Sequence, residues 1–309
     1  MIALIIGINS QDGIFLSQYL ADLGYEVYGT TRHAVTSIHH KHSTQIKMCT
    51  LDPKNTGNVN HLIRTVKPDH IYILAAQSSV SASFADPFGT IQANTMIVLN
   101  VLNSVVKFRP QAKVMNASSS EVFGNINEII DSTTDFQPVS PYALSKANSA
   151  QYVRLYSEMF DLYAVNLFLF NHESNYRPPH FVTKKIISYV KSASQGLVDG
   201  PLKLGNLDIE RDWGLAHEYI VPMVKVLTAD APLDCVICTG QQISLKQFVD
   251  HAFKFSNLDA RDFVEITPEL KRQNEVYSNK GDPNEAIQKL DWSAKTKGLQ
   301  VIEKLIEYE

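Results

Sequence analysis

The chain has 309 residues, of which 44% are hydrophobic and 19% are charged, a balance typical of a folded globular protein and not of a disordered one. This length suits one large domain or two moderate ones, and it needs no metal or disulfide to support its core. A net charge of −4, from 28 basic and 32 acidic residues, excludes a general binder of nucleic acid or of anionic membranes. A local basic pocket for a phosphorylated small molecule stays compatible with it.

The first residues, MIALIIG, form an apolar run that is too short for a signal peptide or a membrane-spanning helix. Three cysteines provide no disulfide framework, which predicts a protein of the reducing cytoplasm. Cys235 and Cys238 read C-x-x-C, but they lie in a predicted buried strand, where side chains three apart point to opposite faces and cannot clamp one metal. The tract His39–His42 lies in a polar loop without acidic partners, so we expect no metal there either.

Strands and helices alternate along the first half of the chain. Short apolar runs predict strands, and apolar residues at helical spacing, bounded by Gly or Pro, predict helices. In chain order we predict a strand at Ile2–Ile6, a helix at Gly13–Leu23, strands at Glu26–Thr31 and Ile46–Leu51, a helix at Val59–Val66, a strand at Ile71–Ala75, a helix at Phe88–Phe108, a strand at Lys113–Ala117, a helix at Pro141–Phe160 and a strand at Tyr163–Phe170.

This alternation predicts an α/β fold, with a Rossmann-type doubly wound parallel sheet and a smaller α/β substrate-binding domain. We assign residues 1–171 to the sheet domain and expect 216–240, which contain the strand at Cys235–Cys238, to return to it. Residues 172–215 and 241–309, whose elements are shorter and split by Gly and Pro, are assigned to the smaller domain.

The first loop, Gly7–Gly13 (GINSQDG), connects the first strand to the first helix. In a doubly wound fold this loop binds the pyrophosphate of a dinucleotide, and glycine lets the backbone approach the phosphate. Gly7 and Gly13 keep the G-x-x-G-x-x-G spacing, but Ser10 replaces the middle glycine. The motif alone is weak, and its place after the first strand strengthens it.

The end of the second strand indicates which dinucleotide is bound. A carboxylate there would accept the ribose hydroxyls of NAD and repel a 2′-phosphate. This chain has Thr30-Thr31-Arg32 instead, so Arg32 is placed to pair with the 2′-phosphate of NADP; the alternative is a solvated surface arginine. Asp52, just past the third strand, is a candidate to hydrogen-bond the adenine.

Tyr142 and Lys146 are four residues apart at the start of a predicted helix and share one face. The pKa of a tyrosine, near 10, must fall by about three units for it to act as a base at neutral pH. A lysine ammonium and a positive nicotinamide ring together can lower it that far, and Lys146 can also hold ribose hydroxyls. One such pair is expected by chance among 13 tyrosines, so the placement after the fifth strand carries the prediction.

The segment Asn116–Glu121 (NASSSE) closes the fifth strand, at the sheet edge where ligands bind. A serine hydroxyl there can polarise a substrate oxygen. Glu121 suits a reaction in which a carbon acid is deprotonated or a leaving hydroxyl is protonated. The alternative is a solvated glutamate at the start of a loop.

At this point the chain resembles the extended short-chain dehydrogenase/reductase superfamily and, within it, the GDP-mannose 4,6-dehydratase family. The resemblance covers nearly the whole chain, and NHES followed by FVTKKI and GNLDIERDWG is far more specific than the dinucleotide motif. The matching segments are GINSQDG, LAAQSSV (Leu74–Val80), ASSSEVFG (Ala117–Gly124), SPYALSKA (Ser140–Ala147), FNHES (Phe170–Ser174), FVTKKI (Phe181–Ile186), LGNLDIERDWG (Leu204–Gly214) and CTG (Cys238–Gly240).

The resemblance implies a catalytic group of Ser119, Glu121, Tyr142 and Lys146. NADP would accept a hydride from C4 of a GDP-sugar and return it to C6, giving a 4-keto-6-deoxy sugar with no net redox change. Tyr142 would deprotonate the C4 hydroxyl. Glu121 would take the C5 proton and, helped by Ser119, protonate the departing C6 hydroxyl.

The resemblance also implies two sets of binding residues and no metal. The NADP set is Gly7, Ser10, Gln11, Asp12, Gly13, Arg32, Asp52, Leu74, Ala75, Ala76, Tyr142, Lys146 and His172. The GDP-sugar set is Ser78, Asn171, Glu173, Thr183, Lys185, Arg211, Arg272 and Glu275. Arg211 and Arg272 would neutralise the diphosphate by forked contacts, and Glu275 would take the ribose hydroxyls or the guanine edge. A structural ion pair of Arg211 with Asp212 or Glu210 is the alternative for that residue.

Three segments depart from the family pattern. Ser10 replaces a glycine, the segment after Arg32 is shorter and lacks a second arginine, and Tyr176-Arg177-Pro178 stands where the family has two arginines and a glycine. The last difference leaves a hexose or a heptose open as the sugar.

Two other functions stay open, a GDP-sugar reductase or epimerase and a non-catalytic NADP- or nucleotide-sugar-binding regulatory protein. We expect a homodimer or homotetramer, in which the helices Phe88–Phe108 and Pro141–Phe160 pair across a two-fold axis as they do in the superfamily.

Overall fold

The computed structural model describes residues 1–32, 46–270 and 274–309. Within them the strands are, in chain order, β1 (Ile2–Ile6), β2 (Glu26–Thr31), β3 (Ile46–Thr50), β4 (His70–Ile73), β5 (Lys113–Ser119), β6 (Ile129–Ile130), β7 (Ala164–Leu169), β8 (Asn171–Glu173), β9 (Leu202–Leu204), β10 (Glu210–Leu215), β11 (Cys235–Ile237), β12 (Gln242–Ser244), β13 (Val264–Ile266) and β14 (Lys280–Gly281). The α-helices are α1 (Gln11–Asp22), α2 (Thr56–Val66), α3 (Val80–Ala85), α4 (Pro87–Phe108), α5 (Pro141–Phe160), α6 (Val182–Ser194), α7 (Ala216–Thr228), α8 (Leu245–Phe255), α9 (Pro283–Leu290) and α10 (Leu299–Tyr308). The tract His39–His42 and Arg272 lie outside the described residues.

The main sheet has the strand order β11-β7-β5-β4-β1-β2-β3, and every neighbouring pair in it is parallel. The chain order reverses direction at β1, which is the switch point where a doubly wound sheet opens a crevice at the carboxyl ends of its strands. The predicted Rossmann-type α/β fold is confirmed.

Both faces of this sheet are covered, which explains why its strands read as continuous apolar runs. Along β1, Ala3 and Ile5 belong to one buried core, and Leu4 and Ile6 belong to the core on the opposite face. Every residue of β7 is buried. Helices therefore pack on the two faces, and only the strand ends are left for ligands.

Capping side chains fix where the helices begin. Helix α1 begins at Gln11, two residues earlier than predicted, because the Ser10 hydroxyl accepts a hydrogen bond from the Gly13 amide at 3.0 Å. Helix α5 has the predicted bounds, with Pro141 in its first turn and the Ser140 hydroxyl accepting from the Ala143 amide. The short helix α3 was not predicted.

A smaller α/β part carries its own core. Strand β8 follows β7 after one residue and pairs in parallel with β10, which pairs antiparallel with β12. Trp213, Phe248, Phe253 and Val301 are buried together in this part. The short connection between β7 and β8 brings the smaller part next to the carboxyl end of the main sheet.

Two segments in the second half of the chain pack on the main sheet. Strand β11 pairs in parallel with β7, so this segment lies in the main sheet. Residues 286–294, which the prediction assigned to the smaller domain, also pack on the main sheet, with Ala286, Leu290 and Trp292 buried in the same core as Ile237. An amphipathic segment does not reveal in its sequence which of two cores it will cover. The remaining boundaries stay predictions.

Cys235 begins β11, and Cys238 follows the last residue of that strand. Cys235 is buried in one core and Cys238 in another, and these two thiols and that of Cys49 are free. Among the described residues no cluster of three or more His, Cys, Asp or Glu side chains has the arrangement of a metal site. No described helix is both long and apolar enough to span a membrane.

Candidate active site

A cleft of about 870 Å³ lies where the strands of the main sheet end, between that sheet and the smaller part. It is lined by nearly all the residues that the sequence analysis selected. These are Gly7, Ser10, Gln11, Asp12, Arg32, Asp52, Leu74, Ala75, Ala76, Ser78, Ser119, Glu121, Tyr142, Lys146, Asn171, His172, Glu173, Thr183, Lys185, Arg211 and Glu275. Gly13 does not line the cleft, and the predicted role of Arg272 falls outside the described residues.

The first loop closes tightly on the sheet. Gly7 has φ +98°, and a Cβ on it would come 2.8 Å from the Ala75 amide nitrogen, so only glycine fits. A Cβ on Gly13 would come 2.5 Å from the carbonyl oxygen of Ile8, within the loop itself. Gly13 is therefore needed for packing of the loop, and its predicted role at the cofactor stays a prediction. The Gly13 amide donates to the Ser10 hydroxyl. A glycine at position 10 would remove this acceptor.

The far end of the cleft is polar and partly basic. Arg32 is exposed just after β2, and Asp52 and Lys54 line the same region after β3. The Lys54 ammonium lies 4.0 Å from a carboxylate oxygen of Asp52. Arg32 and Lys54 are thus two cations that line the cleft.

A buried Asp–His pair connects α1 to β8. His172 Nε2 lies 3.0 Å from Asp12 Oδ1, and His172 Nδ1 lies 2.7 Å from the carbonyl oxygen of Phe170. Burial by itself lowers the pKa of His172, but the Asp12 carboxylate more than offsets this and raises it. Gln11 donates to the His172 carbonyl at 2.9 Å. The predicted cofactor residue His172 is therefore fixed by the protein and supports the loop at the pyrophosphate end.

Tyr142 and Lys146 lie on one face of α5, both buried and both lining the cleft. Burial raises the pKa of Tyr142 to about 12, although the Ser119 hydroxyl that hydrogen-bonds it acts in the opposite direction. Burial also lowers the pKa of Lys146 to about 8, and its ammonium donates to the carbonyl oxygen of Ala117 at 2.7 Å. The lowering of the tyrosine pKa that the sequence predicts is not found, because desolvation, with the Glu121 and Asp12 carboxylates, exceeds the opposite effects of the Ser119 hydroxyl and the Arg177 guanidinium.

Glu121, Arg211 and Glu275 meet in the cleft from three separate segments of the chain. Glu121 lies in a 3₁₀ helix at Ser120–Phe123, immediately after β5, and Arg211 lies in β10. An Arg211 guanidinium nitrogen lies 3.8 Å from Glu121 Oε1 and 3.6 Å from Glu275 Oε1. The side chains of all three are largely buried. One guanidinium therefore lies between two carboxylates, although these are 154 residues apart in the sequence.

The sequence left open that Arg211 forms a structural ion pair with Asp212 or Glu210. The structure does not contain this pair. Its guanidinium donates to the backbone carbonyl of Glu210, not to the carboxylate. Asp212 accepts hydrogen bonds from Thr239 and from the Gly240 amide instead. Arg211 projects into the cleft because neighbouring residues of a strand point to opposite faces.

The opposite wall of the cleft contains an arginine that the sequence analysis did not select as a site residue. Arg177 Nε lies 3.0 Å from Glu173 Oε2, and its guanidinium carbon lies 3.8 Å from the centre of the Phe181 ring. Thr183 donates to the same Glu173 oxygen at 2.8 Å. The four-residue spacing of Glu173 and Arg177 was the available signal. Lys185 reaches the carbonyl oxygen of Lys203.

The site has three features: a dinucleotide loop, a buried tyrosine and lysine on one helix, and an acidic side chain at the end of β5. Together they define a short-chain dehydrogenase/reductase of the extended, sugar-modifying type. Comparisons with known proteins agree. The family model of GDP-mannose 4,6 dehydratase matches residues 4–305. GDP-mannose 4,6 dehydratase 1 of Arabidopsis thaliana is 34% identical over 321 residues, covering 99% of this chain and 89% of the relative. The GDP-mannose 4,6 dehydratase of Dictyostelium discoideum is 33% identical over 341 residues, covering 99% and 94%.

Among solved structures, UDP-glucose 4-epimerase of Thermus thermophilus in complex with NAD superimposes with a TM-score of 0.87 at 20% identity, covering 100% of this chain and 98% of that one. This likeness concerns the fold. The sequence matches show that the chain belongs to the GDP-mannose 4,6-dehydratase family, whose members are NADP-dependent nucleotide-sugar lyases. The predictions of family, enzyme class and cofactor are confirmed.

Proposed function

We propose that this chain converts a GDP-hexose or GDP-heptose, with GDP-mannose as the first candidate, into the corresponding GDP-4-keto-6-deoxy sugar. The observation that carries the proposal is the convergence of Tyr142, Ser119 and Glu121 in one cleft with Arg211. Tyr142 would be the base for a hydroxyl, Ser119 the polarising hydroxyl and Glu121 the second acid–base group. A 4,6-dehydration needs all three together. A cation beside them suits a diphosphate substrate.

The cleft fits NADP. Gly7 lets the loop pack closely against Ala75, and the first turn of α1, whose Gly13 amide already donates to Ser10, would direct its remaining amides to the pyrophosphate. Among the described residues the buried Ser118 hydroxyl, which also lines the cleft, has no hydrogen-bond partner and is available to a ligand. Arg32, with Lys54, would hold the 2′-phosphate, and Lys146 the nicotinamide ribose. When bound, NADP supplies a hydride acceptor for C4, a hydride donor for C6 and a positive ring near Tyr142.

Tyr142 would take the proton from the C4 hydroxyl at its phenolic oxygen. Its pKa of about 12 in the protein alone is too high for this task at neutral pH. The Ser119 hydroxyl and the guanidinium of Arg177 already lower that pKa in part. The remaining decrease has to come from positive charge that enters the cleft with the ligands, so the tyrosine would become a base only in the loaded enzyme.

Glu121 would take the proton from C5, which the new 4-keto group acidifies, and deliver it to the departing C6 hydroxyl with help from Ser119. Its place at the end of β5, two residues beyond Ser119, brings one carboxylate within reach of neighbouring carbons of one sugar. A GDP-sugar reductase or epimerase needs no such group at this position, so Glu121 favours the dehydratase over those alternatives.

The diphosphate and sugar would be held by the rest of the cleft. Arg211, and Arg272 from the sequence resemblance, would neutralise the diphosphate, with Lys185 at its edge. Glu275 would accept the ribose hydroxyls or the guanine edge. Glu173, Thr183, Asn171 and Ser78 would contact the sugar.

The test is mass spectrometry of GDP-mannose, other GDP-hexoses and a GDP-heptose after incubation with the purified protein and NADP⁺. Loss of one water from one of them, without a lasting rise in NADPH absorbance, is the expected result. The Glu121→Gln variant should still transfer hydride to NADP⁺ and should therefore accumulate NADPH without dehydration. Absence of water loss from every sugar, with NADP binding demonstrated, would refute the proposal.

We also propose that the protein is a cytoplasmic homo-oligomer, with a dimer formed by α4 and α5 of two copies as its smallest unit. Both helices expose apolar side chains, among them Phe88 and Met96 on α4 and Leu155 and Met159 on α5. Light scattering should give at least twice the monomer mass, and Leu155→Glu with Met159→Glu should give the monomer. A wild-type monomer at micromolar concentration would refute the dimer.

A further inference from the structure

The loop that follows Glu121 touches the segment that carries Glu275. The Asn125 side chain donates from Nδ2 to the backbone carbonyl oxygen of Glu275 at 2.8 Å. Its Oδ1 accepts from the backbone amide of Tyr277 at 2.7 Å. One side-chain amide thus satisfies a carbonyl and an amide two residues apart, as a neighbouring strand would. Asn125 lies directly after the segment Ala117–Gly124 and outside every motif named above.

A tight backbone turn over residues 121–124 fixes the position of Asn125 relative to Glu121. The Gly124 amide donates to the Glu121 carbonyl at 3.2 Å. Gly124 has φ +65°, and a Cβ on it would come 2.0 Å from the carbonyl oxygen of Gln137, so this turn accepts only glycine. A second link between the same two segments is the hydrogen bond from Asn279 Nδ2 to the Ser120 carbonyl at 3.3 Å. The Glu121 turn and the Glu275 segment therefore form one unit.

This unit matters because its two carboxylates share Arg211. The separations of 3.6 Å to Glu275 and 3.8 Å to Glu121 are both longer than the 2.7–2.9 Å of a full charge-assisted hydrogen bond. The guanidinium lies between the two carboxylates, beyond the distance of such a bond to either of them, and its other terminal nitrogen donates to the Glu210 carbonyl at 2.8 Å. If Glu275 withdrew, Arg211 could close on Glu121.

We propose that Asn125 is a positioning residue that holds Glu275 beside Arg211 and so keeps Arg211 from forming a full ion pair with Glu121. The inference rests on the proposed dehydratase function. A carboxylate in a full ion pair is a weaker base, so loss of the Asn125 contact slows removal of the C5 proton by Glu121. The earlier transfer of hydride from C4 does not use Glu121 and is unaffected.

The test compares Asn125→Ala with Asn127→Ala, an exposed asparagine of the same loop. At saturating GDP-sugar, Asn125→Ala should dehydrate about tenfold more slowly, as expected for loss of a positioning hydrogen bond. Absorbance should reveal a raised steady-state level of NADPH, because hydride still enters the cofactor but leaves it slowly. Asn127→Ala should match the wild type in both measurements. Equal rates and equal NADPH levels in the two variants would overturn the proposal.

A double variant distinguishes action through Glu275 from a general disturbance of the loop. If Asn125 acts through Glu275, then Asn125→Ala combined with Glu275→Gln should be no slower than Glu275→Gln alone. Losses that multiply would mean that Asn125 acts by another route, and would overturn the proposal.

Binding of GDP, measured by calorimetry, separates this inference from the dehydratase function itself. Asn125→Ala should weaken GDP binding about tenfold relative to Asn127→Ala, since Glu275 is released. If the wild type dehydrates no GDP-sugar but this difference is found, the dehydratase function fails and the positioning role stands. If GDP binding is equal in the two variants and dehydration is also equal, the positioning role fails alone.

Discussion

The lysine of the catalytic helix is expected to destabilise the folded protein at neutral pH. Lys146 is buried, and its pKa falls from an ordinary value of 10.5 to about 8. Because the folded state binds this proton less tightly than the unfolded state, the penalty is fully present below about pH 8 and disappears as the pH rises toward 10.5. Replacing Lys146 by methionine, which has a similar length and no charge, removes the penalty.

The size of the effect follows from the two pKa values. At about 1.4 kcal/mol for each unit, the charge lowers the free energy of unfolding by about 3 kcal/mol at pH 7. At pH 10 the unfolded chain has begun to lose the same proton, and the penalty falls to about 1 kcal/mol. The methionine also leaves the Ala117 carbonyl without its donor, which costs about 1–3 kcal/mol at either pH. The advantage of Lys146→Met should therefore shrink by about 2 kcal/mol between pH 7 and pH 10.

The assay is guanidinium unfolding of wild type and Lys146→Met at both pH values, each at matched ionic strength. Other groups titrate in both proteins, so the difference between the two free energies isolates Lys146. Lys67→Met serves as the control, since Lys67 is an exposed residue of the left-handed turn that ends α2. A stability difference that stays constant from pH 7 to pH 10 would mean that Lys146 is not a charged, desolvated group at neutral pH, and the reasoning would fail.

Three further predictions concern the cleft. Tyr142→Phe should lower turnover at least about a hundredfold, the range for loss of a general base, while calorimetry gives nearly unchanged NADP affinity; preserved turnover would remove Tyr142 from its role. Arg32→Ala should weaken binding of NADP about tenfold and of NAD hardly at all, with the exposed Arg64→Ala as control; equal losses for both dinucleotides would refute the 2′-phosphate assignment. Gly7→Ala should destabilise the protein more than Gly24→Ala, because Gly24, with φ +81°, has open space where a Cβ would stand; thermal melting that ranks the two in the opposite order would contradict the packing argument.

Much of the site was predictable because it lies at fixed places in the fold. The carboxyl ends of β1, β2 and β5 are local features of the sequence, and each is followed by a distinctive polar segment: Gly7–Gly13, Arg32 and Asn116–Glu121. Parallel strands bring these ends to one edge of a sheet. The order of the strands then follows from short right-handed connections, so the predicted residues meet in one cleft.

Contacts between distant segments were not predictable. Three contacts join residues that are far apart in sequence: the packing of residues 286–294 on the main sheet, the link from Asn125 to the Glu275 segment, and the contact of Arg211 with two carboxylates. Nothing local distinguishes the exposed asparagine that pairs with a distant backbone from its neighbour Asn127. Such contacts depend on how the smaller part is seated against the sheet.

The roles of Tyr142, Lys146 and Glu121 in a 4,6-dehydration are what the family resemblance implies. The sequence by itself determined the alternation of strands and helices, the loop Gly7–Gly13, and the positions of these three residues beside the ends of elements. These depend on periodicity and on spacing along the chain, which are local properties. The tertiary structure alone decided the electrostatics: the pKa of Tyr142 is raised, not lowered, and Lys146 donates to a backbone carbonyl. Desolvation depends on every atom packed around a group, and no spacing along the chain encodes that.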